Sequence, residues 1–203
     1  MWDIEDSCLQ EGYRLICGAD EAGAGPLAGP VYAGAVILPH HLELKWLNDS
    51  KQVTPKRRDL LFDEIRDRAV AWSVAWVGPE EIDETDILTA RMAAMERAIR
   101  GLSPAPDFAL IDGNRDHGRG AAITLAHRCI VKGDSLSANI AAASILAKVS
   151  RDRFMEEMAE KYPEYQFEKH KGYPTKLHYA MLDRYGPSPI HRKSFLKKWE
   201  GRK

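Results

Sequence analysis

The chain has 203 residues, 44% of them hydrophobic and 29% charged, with a formal net charge of −1. That is enough for one well-buried core and too little for two generous domains. No apolar run approaches the roughly 18 residues that span a bilayer. The acidic start, Met1-Trp2-Asp3-Ile4-Glu5-Asp6, lacks the basic and apolar stretches of a signal peptide. Three cysteines, Cys8, Cys17 and Cys129, form neither a CxxC pair nor an even disulfide set. They read as reduced thiols, with Cys17 and Cys129 as small core residues, and a cytoplasmic location follows as the expectation.

In chain order, Arg14 to Asp20 reads as a short buried strand that meets the glycine-rich Gly23-Ala24-Gly25-Pro26-Leu27-Ala28-Gly29-Pro30. Val31 to Leu38 reads as its hairpin partner. Pro55 to Ala69 has helical spacing, with Thr54 at the N-cap position and Leu60, Leu61 and Ile65 expected on one face. Val70 to Val77 alternates as a strand. Asp86 to Arg100 is helical and ends at Gly101. Asp107 to Asp112 is a short apolar strand, and Ala121 to Leu125 reads as a fifth. Ser137 to Lys161 is the longest helical run, and Thr175 to Tyr185 makes one more helix. Strands crowd the first two-thirds and helices the last third, so a single α/β domain is expected: an α/β core over about 1–160 and a basic helical portion over about 161–203.

Charge is unevenly spread. From Lys169 onward ten basic residues face only Asp183 and Glu200, giving this segment +8 and the remaining 168 residues −9. A basic tail on an acidic body suits a polyanion partner, although a solvated basic helix has the same composition.

The acids carry the chemical signal. Asp20-Glu21 closes one buried strand just before a glycine turn able to swing the second carboxylate beside the first. Asp112 closes another strand and precedes Gly113, and Asp134 follows Gly133. One aspartate at a strand end is usually a turn former. Four such carboxylates together suit hard Mg²⁺ or Mn²⁺, and two ions about 4 Å apart can drive phosphodiester hydrolysis. Gly23-x-Gly25-x-x-Ala28 also fits a dinucleotide fingerprint, but that fingerprint needs a helix next, and Pro30 to Leu38 reads as a strand.

Taken together, these blocks resemble the type 2 ribonucleases H, bacterial ribonuclease HII in particular, over about Leu15 to Trp199. The similarity rests on Gly18-Ala19-Asp20-Glu21-Ala22-Gly23, Gly25-Pro26-Leu27-Ala28-Gly29-Pro30-Val31, Asn48-Asp49-Ser50-Lys51, Ile111-Asp112-Gly113-Asn114 and Lys132-Gly133-Asp134. Ala142 to Asp152, His170 to Thr175 and Tyr185 to Arg192 continue it in the same order. The resemblance implies a ribonuclease H-like fold, with a mixed central sheet flanked by helices and a helical C-terminal extension. It implies Asp20, Glu21, Asp112 and Asp134 as metal-binding catalytic carboxylates for Mg²⁺ or Mn²⁺. It also implies hydrolysis of RNA in RNA/DNA hybrids and nicking 5′ of ribonucleotides embedded in duplex DNA, leaving 5′-phosphate and 3′-hydroxyl ends.

For nucleic-acid binding the resemblance points to Gly23, Ala24 and Gly25 around a ribose, Tyr173 stacked beside the sugar, and Ser50, Lys51, Lys148 and Arg151 on phosphates. Arg151 also reads simply as solvated surface charge. Ala24 departs from the family's Gly-Arg-Gly, which puts grip at an RNA/DNA junction in doubt. The role of the stretch 115–120 is unassigned. Two other readings stand beside this one: a related nuclease for DNA junctions, and a hybrid-binding protein with impaired catalysis. A monomer is expected, with no membrane association, and the sequence gives no sign of a sliding-clamp partner.

Overall fold

A computed structural model describes residues 1–200, without the side chains of Lys198 and Glu200. Arg202 and Lys203 of the basic tail, and the Lys198 side chain, lie outside the described residues. The five strands are β1 (Ile16–Ala22), β2 (Val31–Ile37), β3 (Ala71–Val77), β4 (Phe108–Asp112) and β5 (His127–Ile130). They form one mixed sheet in the order β3-β2-β1-β4-β5. β1 and β2 pair antiparallel, as do β2 and β3, whereas β4 lies parallel to β1 and β5 parallel to β4. The mixed sheet flanked by helices is the architecture expected from the sequence.

Helix α6 (Ala138–Lys161) covers one face of β1 and β2. The approach is close: a Cβ on Gly18 would stand 2.2 Å from the Asn139 carbonyl carbon, and one on Gly34 2.4 Å from the Ala143 oxygen. Alanine, not leucine, therefore lines the helix where it meets the sheet. α2 (Pro55–Arg68) packs on α6 through Leu61, Phe62 and Ile65. The opposite face is covered by α4 (Ile87–Arg100), whose Ala90, Met92, Ala94, Met95, Ala98 and Ile99 join Cys17, Ala19, Ala33 and Ala35 in the largest core cluster. Asp86 caps α4 by accepting from the Thr89 amide, and α3 (Pro79–Glu84) precedes it.

The C-terminal part adds α7 (Phe167–His170), α8 (Lys176–Tyr185) and α9 (Lys193–Glu200). Leu27, Leu182, Leu196 and Trp199 form one small cluster there, and Ala28, Met155, Tyr165 and Phe167 another. Both contain residues of the glycine-rich segment, so the turn is built into the C-terminal part. Among the described residues no helix is long and apolar enough to cross a membrane.

Several local expectations are corrected. Ala121 to Leu125 is a loop making one isolated bridge, His117 to Ala122, while β5 begins at His127. Its apolar residues reflect packing of Ala121, Ile123 and Leu125 against the core rather than ladder pairing. Leu60 points outward, 54% exposed, and Phe62 takes the buried place expected for it. Thr54 occupies the N-cap position of α2 without a side-chain capping bond. Helix α1 (Asp3–Gln10) was not expected, because an eight-residue polar segment gives a weak periodic signal. It buries Cys8 completely, whereas Cys129 is only partly buried.

Candidate active site

β1 and β4 run parallel side by side, which brings their C-terminal ends, with Asp20, Glu21 and Asp112, to one edge of the sheet. The short helix α5 (Gly133–Leu136) follows β5 and sets Asp134 beside them. Lys132 enters that helix in the left-handed region, φ 58°. The Gly133 amide then donates to Asp112 Oδ1 at 2.7 Å, tying the two acid-bearing elements together.

Asp20 and Asp134 are buried. Burial, followed by the charges of Glu21, Asp112 and Asp134, pushes the Asp20 carboxyl well above the ordinary carboxylate range. Asp134 is raised by burial, then by Asp112 and Asp49. Glu21 is raised by burial against the opposing pull of Arg91. Burial works against the Lys51 ammonium, yet Asp49, Asp20, Asp134 and Asp112 together keep its proton affinity above that of an ordinary lysine. Lys51 thus shares the field of the acidic group.

The two carboxylates are close enough for Glu21 to be the strongest charge acting on Asp20, but the glycine turn is not what brings them there. β1 continues through Ala22, so strict alternation holds. Asp20 lies opposite Gly34 on the α6 face, and Glu21 opposite Ala33 on the α4 face. There Arg91 of α4 reaches Glu21 Oε1 at 2.6 Å. Glu21 Oε2 and Arg91 Nε are both buried without a hydrogen-bond partner. An orphaned carboxylate oxygen, beside carboxyls lifted by burial and then by their neighbours' charges, is the environment a divalent cation relieves. The donors are all oxygen, so they fit a hard ion such as Mg²⁺ or Mn²⁺.

Across from the acids lies the glycine turn. Gly23 has φ +97°, and a Cβ there would fall 2.1 Å from Arg151 Nε, so both conformation and space require glycine. Two buried arginines hold the turn from within. Arg151 Nε donates to the Pro30 carbonyl at 3.1 Å and Nη2 to that of Ala28 at 3.2 Å. Arg192 donates to the carbonyls of Gly29, Ala24 and Gly23 at 2.8, 3.0 and 2.6 Å. Burial, with Arg151 nearby, pushes Arg192 down to about 9. The Leu27 amide donates to the Gly172 carbonyl and the Gly29 amide to that of Ile190, lacing the turn to the segment that carries Tyr173. Tyr173 is 39% exposed, and a Cβ on Gly25 would sit 3.9 Å from its ring.

Arg151 is therefore a correction: at 0% exposure it is neither solvated surface charge nor a surface open to phosphate. Its work is to shape the turn from below. Ser50 is 6% exposed, with its amide on Ser144 Oγ, so little of it faces outward. Lys51 is exposed, whereas Lys148 is ion-paired to Asp152 at 2.8 Å and lies 5.9 Å from the Tyr173 ring centre. Sequence reasoning missed Asp49, Arg91 and Arg192. Asp49 lay inside a quoted block, but nothing local in the chain pairs Arg91 with Glu21, 70 positions apart. The 115–120 stretch packs on the start of α4, with the Arg119 amide on Thr89 Oγ1.

Comparison with known proteins agrees with this geometry. Residues 17–198 match the family described as Ribonuclease HII. The chain is 52% identical over 196 residues to Ribonuclease HII of Caldicellulosiruptor bescii, covering 97% of this chain and 93% of that protein. It is 51% identical over 185 residues to Ribonuclease HII of Aliivibrio fischeri, covering 91% and 87%. Its fold is similar to the crystal structure of ribonuclease H2 from Pyrococcus horikoshii, with TM-score 0.74, 27% identity, and coverage of 93% and 98%. It is also similar to the ribonuclease HII solved in complex with PCNA from Archaeoglobus fulgidus, with TM-score 0.73, 25% identity, and coverage of 89% and 94%. The chain belongs to the ribonuclease HII family and is a type 2 ribonuclease H endonuclease.

Proposed function

We propose that the protein hydrolyses the RNA strand of RNA/DNA hybrids and nicks 5′ of ribonucleotides embedded in duplex DNA, with Mg²⁺ or Mn²⁺ held by Asp20, Glu21, Asp112 and Asp134. The observation that carries this is the orphaned, buried Glu21 Oε2 within a group of mutually repelling carboxylates at one end of the sheet. Two divalent ions there would supply Lewis acidity at the scissile phosphate. Asp112 keeps one oxygen on the Gly133 amide, which fixes its orientation. Glu21 has Arg91 on Oε1, leaving Oε2 as its free donor. Lys51, exposed and within the field of the acids, would meet a backbone phosphate beside them.

Recognition falls to the turn. With the carbonyls of Gly23 and Ala24 drawn inward by Arg192, the main-chain amides of Gly23, Ala24 and Gly25 are the donors offered to a ribose. Tyr173 presents its ring next to Gly25 for stacking on the sugar. A 2′-hydroxyl at that place is what distinguishes RNA from DNA.

The test is cleavage of three matched duplexes with Mg²⁺ or Mn²⁺: an RNA/DNA hybrid, DNA carrying one ribonucleotide, and all-DNA. Cutting of the first two with 5′-phosphate products supports the proposal. Cutting of branched or all-DNA substrates instead would favour a DNA-junction nuclease. Tight hybrid binding without any cleavage would favour an impaired hybrid-binding protein.

A further inference from the structure

We propose that Asp6, His40 and His41 form a second cation site, for a transition-metal ion of the zinc class, which ties α1 to the loop that follows β2. Among the described residues these are the only three metal-capable side chains whose ligand atoms all lie within 4.8 Å of one another. His40 Nε2 stands 2.6 Å from Asp6 Oδ1, and His41 Nε2 stands 3.4 Å from the same oxygen.

Neighbouring residues of an extended chain send their side chains apart. His41 instead adopts the left-handed region, φ 57°, which brings its ring back beside that of His40, with centroids 4.0 Å apart. Trp2 packs against both rings, with centroids at 5.5 and 5.6 Å, and limits their freedom. An exposed Asp–His pair explains one imidazole on Asp6. The second imidazole reaches the same oxygen because His41 stands at positive φ in the turn closed by the Leu42 amide on the Pro39 carbonyl. One carboxylate oxygen and two imidazole nitrogens make a borderline donor set, suited to Zn²⁺, Ni²⁺ or Cu²⁺ more than to Mg²⁺. The carboxylates at the end of the sheet offer oxygen alone. The three side chains are 35–59% exposed, so an ion enters from solvent and a water completes its coordination.

The placement gives such an ion a consequence. On α1, Glu5 accepts from Ser137 Oγ at 2.6 Å and from the Asn139 amide at 3.1 Å, holding the start of α6 just after Asp134. The loop running on from His41 leads to Asp49, Ser50 and Lys51. An ion bridging Asp6 to the two histidines therefore fixes, from one side, two segments that border the carboxylate group.

The test is Zn²⁺ titration of the full chain by calorimetry in millimolar Mg²⁺, which occupies the oxygen-only site. X-ray absorption of the Zn²⁺-loaded protein then reads its ligands. The expected result is one Zn²⁺ bound with two imidazole ligands. His41→Ala and Asp6→Asn should each weaken it by roughly tenfold or more, and Asp112→Asn should leave it unchanged. Trypsin should cut the 42–54 loop more slowly with Zn²⁺ in the wild type and not in His41→Ala. His41 is exposed and Asp6 half-buried, and an unchanged melting temperature without Zn²⁺ verifies the fold of each variant. Equal Zn²⁺ affinity in wild type and His41→Ala, loss of the site in Asp112→Asn, or no binding tighter than about 100 µM would overturn the proposal.

Discussion

The two sides of the active site are built on opposite principles. On the carboxylate side, Asp20, Glu21, Asp112 and Asp134 sit at strand and helix ends with only Arg91, on Glu21 Oε1, and Lys51 set against their charges, and Glu21 Oε2 has no partner. On the turn side the backbone is held from within, although Arg151 Nη1 is buried without a hydrogen-bond partner. Arg151 and Arg192 take five carbonyls, and a chain of neutral histidines fixes the segment around Tyr173. In that chain His178 Nδ1 donates to the Tyr173 carbonyl and its Nε2 accepts from His191 Nε2. His191 Nδ1 then accepts from the Ser188 amide. A carbonyl can only accept and an amide only donate, so both tautomers are fixed. Under the proposed function, cations would complete the first side and substrate would meet a turn already held in place, so variants on each side should fail differently.

The sharpest break is on the carboxylate side. Asp20→Asn or Asp134→Asn should lower cleavage by about 10³-fold, because an ion loses a charged ligand worth several kcal/mol of transition-state stabilisation. The same changes should raise the melting temperature of the metal-free protein, since a neutral amide ends the repulsion. A lower melting temperature without metal would show that these acids contribute to folding rather than strain it.

The opposite sign is expected on the turn side. Arg192→Ala strands three carbonyls and should cost about 2–4 kcal/mol, a drop of roughly 4–16 °C in Tm at this chain length. Substrate affinity should fall with it, while the pH and metal dependence of the residual cleavage stay as in the wild type. An unchanged Tm would mean the turn stands without its arginine.

Ala24 offers a finer test. A charge-assisted phosphate contact contributes roughly 1.5–3 kcal/mol, about 10- to 150-fold if it strengthens in the transition state. Ala24→Arg should therefore raise kcat/KM most on a duplex with one ribonucleotide and only modestly on a long hybrid. Equal gains on both substrates would reject a junction-specific role. If instead Arg115 or Arg119 of the 115–120 loop compensates, Arg115→Ala or Arg119→Ala should selectively damage junction cleavage.

Acid should loosen the turn side first. Burial, then neighbouring histidines, lowers His178 to about 4 and His191 to about 3, both below the ordinary 6.5. Groups depressed in the folded state stabilise fully above about pH 6.5 and lose that contribution as pH falls toward 4. Hydrogen exchange at pH 7 and pH 4.5 should show protection falling around 165–192 before the sheet. Uniform protection at both pH values would contradict the neutral histidine chain. The smallest effect concerns the basic tail: Lys193→Ala, Lys197→Ala and Lys198→Ala combined should weaken hybrid binding and flatten its salt dependence. An unaltered slope would show that the tail faces away from nucleic acid.

Much of this was legible in the chain. Strands from 14 to 38 and 107 to 112, and the helix after Ser137, carry strong local signals, and the acids at or near their ends are those the fold gathers into the candidate site. What escaped depends on distance in sequence. Arg151 reads as surface charge on a helix until Gly23, 128 positions earlier, is seen to rest on it. Arg91 opposite Glu21 and Arg192 under Ala24 are likewise products of tertiary packing. The strand at 121–125 failed because apolar loop residues that plug a core imitate a buried strand. α1 failed because its stability comes from docking on α6 and not from its own periodicity.

The proposed separation of chemistry from recognition is tested most directly by single-turnover cleavage and equilibrium binding of one substrate, duplex DNA with a single ribonucleotide, by Asp112→Asn and Tyr173→Ala. Asp112→Asn should bind within about threefold of wild type while losing nearly all Mg²⁺- or Mn²⁺-dependent cleavage. Tyr173→Ala should retain cleavage of long hybrids and lose discrimination for the single-ribonucleotide duplex. Substantial cleavage by purified Asp112→Asn, or an equal loss of binding in both variants, would contradict the account.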